Sequence, residues 1–210
     1  MRVIVTRPEG QEHDLVARLA DDGHEVVCCP LIRVEPLADD PIDVTGYDWV
    51  VVTSPNGARE LLRRARGPLP RLAAIGQATA DALGHADLVA RVSTQEGLVA
   101  DMPRPAGRVL VAAAEGARGY LADALSADFV PLYRTHAIHP EPPPNGDLCL
   151  LASASAARAF GVLATGIPAV SIGPETTRAA LEAGVEVLAE AATHDVEGLV
   201  AAVSGLAASE

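Results

Sequence analysis

The chain repeats itself, and this restricts its fold more than any other feature of the sequence. Arg2-Val3-Ile4-Val5 followed by Glu9-Gly10 matches Arg108-Val109-Leu110-Val111 followed by Glu115-Gly116. Pro30-Leu31-Ile32-Arg33 matches Pro131-Leu132-Tyr133-Arg134, and together these matches define a first block. A second block repeats as well: Ser54 with Ala58-Arg59 echoes Ser153 with Ala157-Arg158, and Ala74-Ile75-Gly76 with Thr79 echoes Ser171-Ile172-Gly173 with Thr176. Glu96-Gly97-Leu98-Val99-Ala100 recurs unchanged at Glu197 to Ala201. Self-similarity of this kind decides the architecture before any single element is assigned.

Within the blocks, short β-branched apolar runs alternate with Ala- and Leu-rich segments of helical period, the pattern of an α/β fold with buried, largely parallel strands. The expected strands are Arg2 to Thr6, Glu25 to Cys29, Trp49 to Thr53, Leu72 to Ile75, Arg108 to Val111, Phe129 to Leu132, Leu148 to Leu151 and Ala169 to Ile172. Pro-containing connectors follow each first block, at Val34 to Pro41 and His136 to Asn145. A domain needs one block of each kind, so the domains are either contiguous or interleaved. Two similar extended connectors suit interleaving, because both would run between the same pair of domains and could pair with each other.

Composition narrows the function. All 16 cationic residues of the 210 are arginines, which removes Schiff-base, pyridoxal and P-loop lysine chemistry. A net charge of −12 opposes non-specific nucleic-acid binding. Cys28, Cys29 and Cys149 form no CxxC pair and read as buried thiols in a reducing compartment. The apolar start Met1-Arg2-Val3-Ile4-Val5 is too short for a signal peptide, and no window approaches a membrane span, so the expected location is cytoplasmic, with no membrane partner.

Ligands of open α/β sheets bind beyond the carboxyl ends of the strands, where helix N-termini favour anions. Thr53-Ser54-Pro55-Asn56 and Ala152-Ser153-Ala154-Ser155 each place a capping hydroxyl at such a turn. Gly76-Gln77-Ala78-Thr79 and Gly173-Pro174-Glu175-Thr176 each place a glycine after a strand and a hydroxyl three residues later, and Thr6-Arg7-Pro8 adds a guanidinium. Each alone is an ordinary cap. Repeated on two domains, they suit a ligand with several carboxylates or phosphates held in a hinged cleft. No Gly-x-Gly-x-x-Gly follows a strand, and Ser54, Ser153 and Ser155 lack a nucleophile elbow.

His136 and His139 read as surface residues rather than metal ligands. Arg59, Arg63, Arg64 and Arg66 read as a solvated helix face. Tyr133, one of three tyrosines, is expected at the last position of a strand where the repeat has Ile32; its phenol could donate a proton toward the cleft.

These residues resemble the uroporphyrinogen-III synthase family. The segments that carry the resemblance are Val5-Thr6-Arg7-Pro8, Pro30-Leu31-Ile32, Thr53-Ser54-Pro55-Asn56-Gly57-Ala58, Ile75-Gly76-Gln77-Ala78-Thr79, Leu132-Tyr133-Arg134-Thr135, Ile172-Gly173-Pro174 with Thr176, and Glu197-Gly198-Leu199-Val200. It implies two flavodoxin-like parallel-sheet domains, interleaved in sequence and joined by a two-stranded β linker: residues 1–33 plus 147–210 in the first, 47–134 in the second, and 34–46 with 135–146 as linkers. The implied activity is cofactor-free and metal-free cyclisation of hydroxymethylbilane, with loss of water and inversion of ring D through a spiro intermediate. Carried over by motif, Tyr133 would assist departure of the hydroxyl, while Arg7, Ser54, Thr79, Ser153 and Thr176 would bind substrate. A monomer is expected, with transient contact to the enzyme that supplies the unstable bilane. The alternative is a non-catalytic hinged module that senses a polycarboxylate or tetrapyrrole. The chain departs from the family's pattern at Ala152, where a threonine is common before the serine, and at Ala112-Ala113-Ala114, where a polar or basic residue is common.

Overall fold

A computed structural model describes residues 1–207. The chain opens with β1 (Arg2–Val5), α1 (His13–Asp21) and β2 (Glu25–Cys28), then runs through β3 (Ile32–Pro36) and the short β4 (Ile42–Asp43). Next come β5 (Trp49–Val52), α2 (Pro55–Arg64), β6 (Ala65–Arg66), β7 (Arg71–Ala74), α3 (Gln77–Leu83), β8 (Leu88–Val89) and α4 (Gln95–Asp101). The second copy of the first block supplies β9 (Val109–Ala114), α5 (Tyr120–Leu125) and the ten-residue β10 (Asp128–Ala137). The chain ends with β11 (Leu148–Leu151), α6 (Ala154–Val162), β12 (Ala169–Ser171), α7 (Pro174–Glu182), β13 (Val187–Glu190) and α8 (Val196–Ala207). No helix among the described residues is long and apolar enough to cross a membrane.

Two compact units result. One comprises residues 1–33 together with the chain from Thr135 onward; the other comprises Val34–Arg134. The first contains the sheet β13-β12-β11-β1-β2, parallel throughout. The second holds most of the sheet β3-β10-β9-β5-β7-β8, of which β3 begins before Val34 and β10 ends after Arg134, with every pair from β10 to β8 parallel, and a separate pair β4-β6. Apart from β3, each main sheet uses two strands of a first block and three of a second block. Placed in that order, β1, β2, β11, β12, β13 and β9, β10, β5, β7, β8 take the same spatial sequence, 2-1-3-4-5, which is the doubly wound flavodoxin-like order. The first unit joins the first and last blocks of the chain, and the second joins the two middle ones.

Burial explains which runs became strands. β5 (Trp-Val-Val-Val) is buried along its length: Val50 and Val52 pack with Ala58 and Leu61 of α2, whereas Trp49 and Val51 pack with Leu98 and Val99 of α4 on the other face. Each buried valine contributes on the order of 1.5–3 kcal/mol relative to exposure. β11 repeats this in the first unit, with Leu148 and Leu150 toward Leu15 and Leu19, and Cys149 and Leu151 toward Phe160.

Three local expectations need correction. Cys28 is exposed and Cys29 half-buried because β2 is the sheet's edge strand; only Cys149, on the central β11, is fully buried, and burial raises its thiol well above the ordinary value. Arg64 is not on a solvated face: it is 6% exposed, its Nε donating to the Asp40 carbonyl at 2.9 Å. Its neighbour Arg63 reaches Asp39, the Ala38 carbonyl and Glu60, so both residues tie the segment after β3 to α2. Tyr133 does not end a strand, because β10 continues to Ala137 and includes His136, which is half-buried while His139 is exposed.

Candidate functional site

Helices of the second unit begin where parallel strands end, and the local sequence sets each start. Ser54 caps α2 with extended backbone: its Oγ accepts the Gly57 N–H at 3.0 Å, and Pro55 follows in the first helical turn. Gly57 is suited to this turn, since a Cβ there would lie 3.2 Å from Ser54 Oγ and 3.6 Å from the Ala112 carbonyl. Gly76 precedes α3, where a Cβ would lie 2.7 Å from Ser93 Oγ. Thr94 caps α4 by accepting the Gly97 N–H at 3.0 Å.

The chemistry-bearing contact links the residue just past β5 to the middle of β10. Tyr133 Oη and Ser54 Oγ are 2.8 Å apart, a hydrogen bond across 79 residues of chain. Tyr133 is only 7% exposed, and burial raises its phenol above the ordinary value of 10.0, an effect the Ser54 hydroxyl opposes. The ring reaches Ser54 because β10 breaks register: Pro131 pairs with Ala113, but Tyr133 pairs with the next residue, Ala114. This β-bulge interrupts alternation, so Leu132 and Tyr133 both pack in the cluster with Val50, Val52, Ala58 and Leu61. Ala112 and Ala113, the departure noted in the sequence, are fully buried residues of β9, whose backbone pairs with the bulged β10.

In the first unit the corresponding turns follow three adjacent strands. Arg7, half-buried, lies just past β1, where Thr6 is buried and donates its hydroxyl to the Leu150 carbonyl at 2.7 Å. Ser153 follows β11 and caps α6, its Oγ accepting the Ala156 N–H at 3.2 Å. Thr176 lies in the first turn of α7, after β12, and is 4% exposed; Thr79 in the first turn of α3 is 2% exposed. The predicted residues therefore divide by unit: Ser54, Thr79 and Tyr133 in one, Arg7, Ser153 and Thr176 in the other. Only Ser54 and Tyr133 are joined by a direct bond among the contacts described.

Sequence reasoning missed a second layer. Asp195 caps α8 by accepting the Gly198 N–H at 2.7 Å, the counterpart of Thr94 and Gly97. A Cβ at Gly97 would lie 2.2 Å from the Val92 carbonyl, and one at Gly198 2.0 Å from the Thr193 carbonyl, which accounts for the glycine in the repeated Glu-Gly-Leu-Val-Ala. His194 packs over Gly173 as Ser93 packs over Gly76. Ser171, Thr177 and Glu190 form a hydroxyl–carboxylate chain at the ends of β12 and β13. Polar residues just before the repeated pentapeptide were the available signal for Thr94 and Asp195.

A duplicated pair of parallel α/β units, each with capped helices at the carboxyl ends of its strands and one with a buried phenol there, defines a class of two-unit α/β protein. The family model described as uroporphyrinogen-III synthase HemD matches residues 13–201, and the chain belongs to that family. A relative from Archaeoglobus fulgidus, provisionally named a uroporphyrinogen-III synthase, is 37% identical over 82 residues, covering 39% of this chain and 34% of that protein. One from Methanocaldococcus jannaschii, named likewise, is 24% identical over 149 residues, covering 64% of this chain and 62% of its own length. The matches thus span less than two thirds of either relative. A crystal structure of mutant uroporphyrinogen III synthase from the extremely thermophilic bacterium Thermus thermophilus matches the fold with a TM-score of 0.68 at 16% identity, covering 100% of both chains. The wild-type protein of the same organism gives 0.52 at 17% identity, over 100% of this chain and 98% of that one.

Proposed function

We propose that the protein is a uroporphyrinogen-III synthase, a lyase that closes hydroxymethylbilane with inversion of ring D. The observation that carries this reading is the Ser54–Tyr133 hydrogen bond at the carboxyl end of a parallel sheet, in a chain of this family. The phenol is protonated at neutral pH even at the ordinary value of 10.0, and burial raises it further, so the form present is the one that can donate. Ser54 Oγ already accepts the Gly57 N–H, so it can direct its own hydrogen at the phenol oxygen and leave the phenolic hydrogen for the substrate.

In the proposed reaction Tyr133 protonates the departing hydroxyl on ring A, the carbon–oxygen bond breaks, and water leaves an azafulvene. Ser54 stabilises the phenolate that develops. The substituted α-carbon of ring D attacks the exocyclic carbon to form the spiro intermediate. Rearrangement inverts the ring, and closure releases a proton that restores the phenol. Arg7, Ser153 and the first helical turns that contain Thr79 and Thr176 take substrate carboxylates through a guanidinium, a hydroxyl and turn amides. Such local donors offset the repulsion that a chain of net charge −12 exerts on a polyanion.

The activated bilane closes unaided to the uninverted isomer, so the product distribution tests the proposal. Hydroxymethylbilane is generated in situ, the protein added, and the isomers resolved. Isomer III is expected; recovery of isomer I alone overturns the assignment.

A further inference from the structure

We propose that Glu115 and Arg134 are positioning residues that set the phenol of Tyr133 by clamping the β10 bulge, an inference that rests on the reading of Tyr133 as the acid. Glu115 immediately follows β9 and holds two consecutive residues of β10 at once. Its backbone N–H donates to the Tyr133 carbonyl at 2.9 Å. Its carboxylate accepts Arg134 Nε at 2.5 Å and Arg134 Nη2 at 2.7 Å, the two-pronged fork that fixes orientation as well as distance. The carbonyl of Tyr133 and the side chain of the next residue, Arg134, are therefore tied to a single residue.

The bulge is what needs tying. A regular strand would send Leu132 and Tyr133 to opposite faces, and a one-residue slip would carry the phenol away from Ser54. The register shift between Pro131 and Tyr133 places both side chains in one cluster, and the Glu115 bonds begin directly after it. The equivalent stretch of the other unit carries Glu9 and Arg33 at the matching positions but differs in its strand. β9 extends through Ala112-Ala113-Ala114, whereas β1 stops at Val5 and the chain continues Thr6-Arg7-Pro8. The residue matching Tyr133 is Ile32, which has no hydroxyl to aim. The strand extension and the phenol thus occur in the same unit.

The ion pair is exposed, with side chains 50% and 44% accessible, so breaking it leaves the fold intact. Glu115→Gln and Arg134→Gln are compared with wild type in steady-state turnover and in ultraviolet titration of tyrosine, the Tyr133 component being assigned by subtraction of Tyr133→Phe. Misplacement of the acid lowers kcat by about tenfold and leaves KM within about twofold. The phenol ionises nearer the ordinary tyrosine value as it loses its buried seat. Arg134→Lys, which keeps the charge but not the fork, falls between. Arg91→Gln, which removes an ion pair with Asp101 elsewhere in the same unit, changes neither measurement. Wild-type kcat together with an unshifted phenol in Glu115→Gln overturns the inference. If the wild-type protein forms no isomer III, the acid reading fails, while the phenol titration still decides whether the pair positions Tyr133.

Discussion

Tyr133→Phe separates chemistry from folding more cleanly than any other single change. Phenylalanine keeps the ring that packs against Val50, Val52 and Leu61, so no cavity opens. What is lost is the 2.8 Å bond to Ser54, whose Oγ still holds the Gly57 N–H. Removing one hydrogen bond costs about 1 kcal/mol. For a chain of this size, that lowers Tm by roughly 2–4 °C. A general acid contributes about 10²–10⁴-fold in rate, equivalent to about 3–5 kcal/mol of barrier. The loss in kcat should therefore exceed the loss in stability severalfold. The assay is initial-rate isomer III formation from hydroxymethylbilane, paired with a thermal melt. Ser54→Ala completes a double-mutant cycle: it costs about 1 kcal/mol as a lost cap and also leaves the phenol without its partner. If Ser54 acts through Tyr133, the double variant has the kcat of Tyr133→Phe alone. Turnover of Tyr133→Phe within about twofold of wild type refutes the reasoning.

Gly97→Ala and Gly198→Ala should each destabilise by about 1–3 kcal/mol or more, because the new Cβ meets a backbone carbonyl that cannot rotate away; thermal melts of both variants check this. Asp87 accepts the Leu72 N–H at 2.8 Å, and this bond first, then His85, holds its carboxyl below 3.8. Its contribution is present above that pH and is lost as pH falls through the lower folded value, so Asp87→Asn should flatten the acid limb of stability measured by denaturant titration. Tyr133 has the opposite sense: its raised phenol gives stability that is full below 10.0 and declines as pH rises through the folded value, and Tyr133→Phe should remove that alkaline decline in the same titrations.

Fold class was legible because it depends on local patterns. Trp49 to Val52 and Leu148 to Leu151 are apolar without interruption, as strands buried on both faces must be. The Ser54-Pro55 and Ser153 caps are readable from neighbouring residues alone. The Tyr133 environment was less so, because a bulge is a relation between β10 and β9 rather than a property of Val130 to Tyr133. Arg64 misled for a similar reason: its spacing is that of a surface face, and only the path of residues 38–40 over α2 buries it. Cys28 misled because nothing in Val26-Val27-Cys28-Cys29 marks an edge strand.

The duplication shows which residues the fold constrains and which it leaves free. Gly97 and Gly198 cannot change without meeting a carbonyl, and Ser54 with Ser153, like Thr94 with Asp195, meet the same demand of a free helix amide. At these positions the two copies remain chemically alike. They diverge at Tyr133 against Ile32, Ala113 against Arg7 and Ser93 against His194. All three pairs lie toward or just beyond the carboxyl ends of the parallel sheets, where a ligand of an open α/β sheet binds. One unit carries a phenol where its copy is apolar, and the copy carries a guanidinium where the first has alanine. Under the proposed reaction, this divergence gives proton transfer to the unit containing Tyr133 and a guanidinium to the unit containing Arg7, while the Tyr133 unit keeps the carboxylate-binding turn at Thr79. Installing Arg7 chemistry at Ala113 would place a guanidinium in a fully buried strand position, where an unpaired charge is costly.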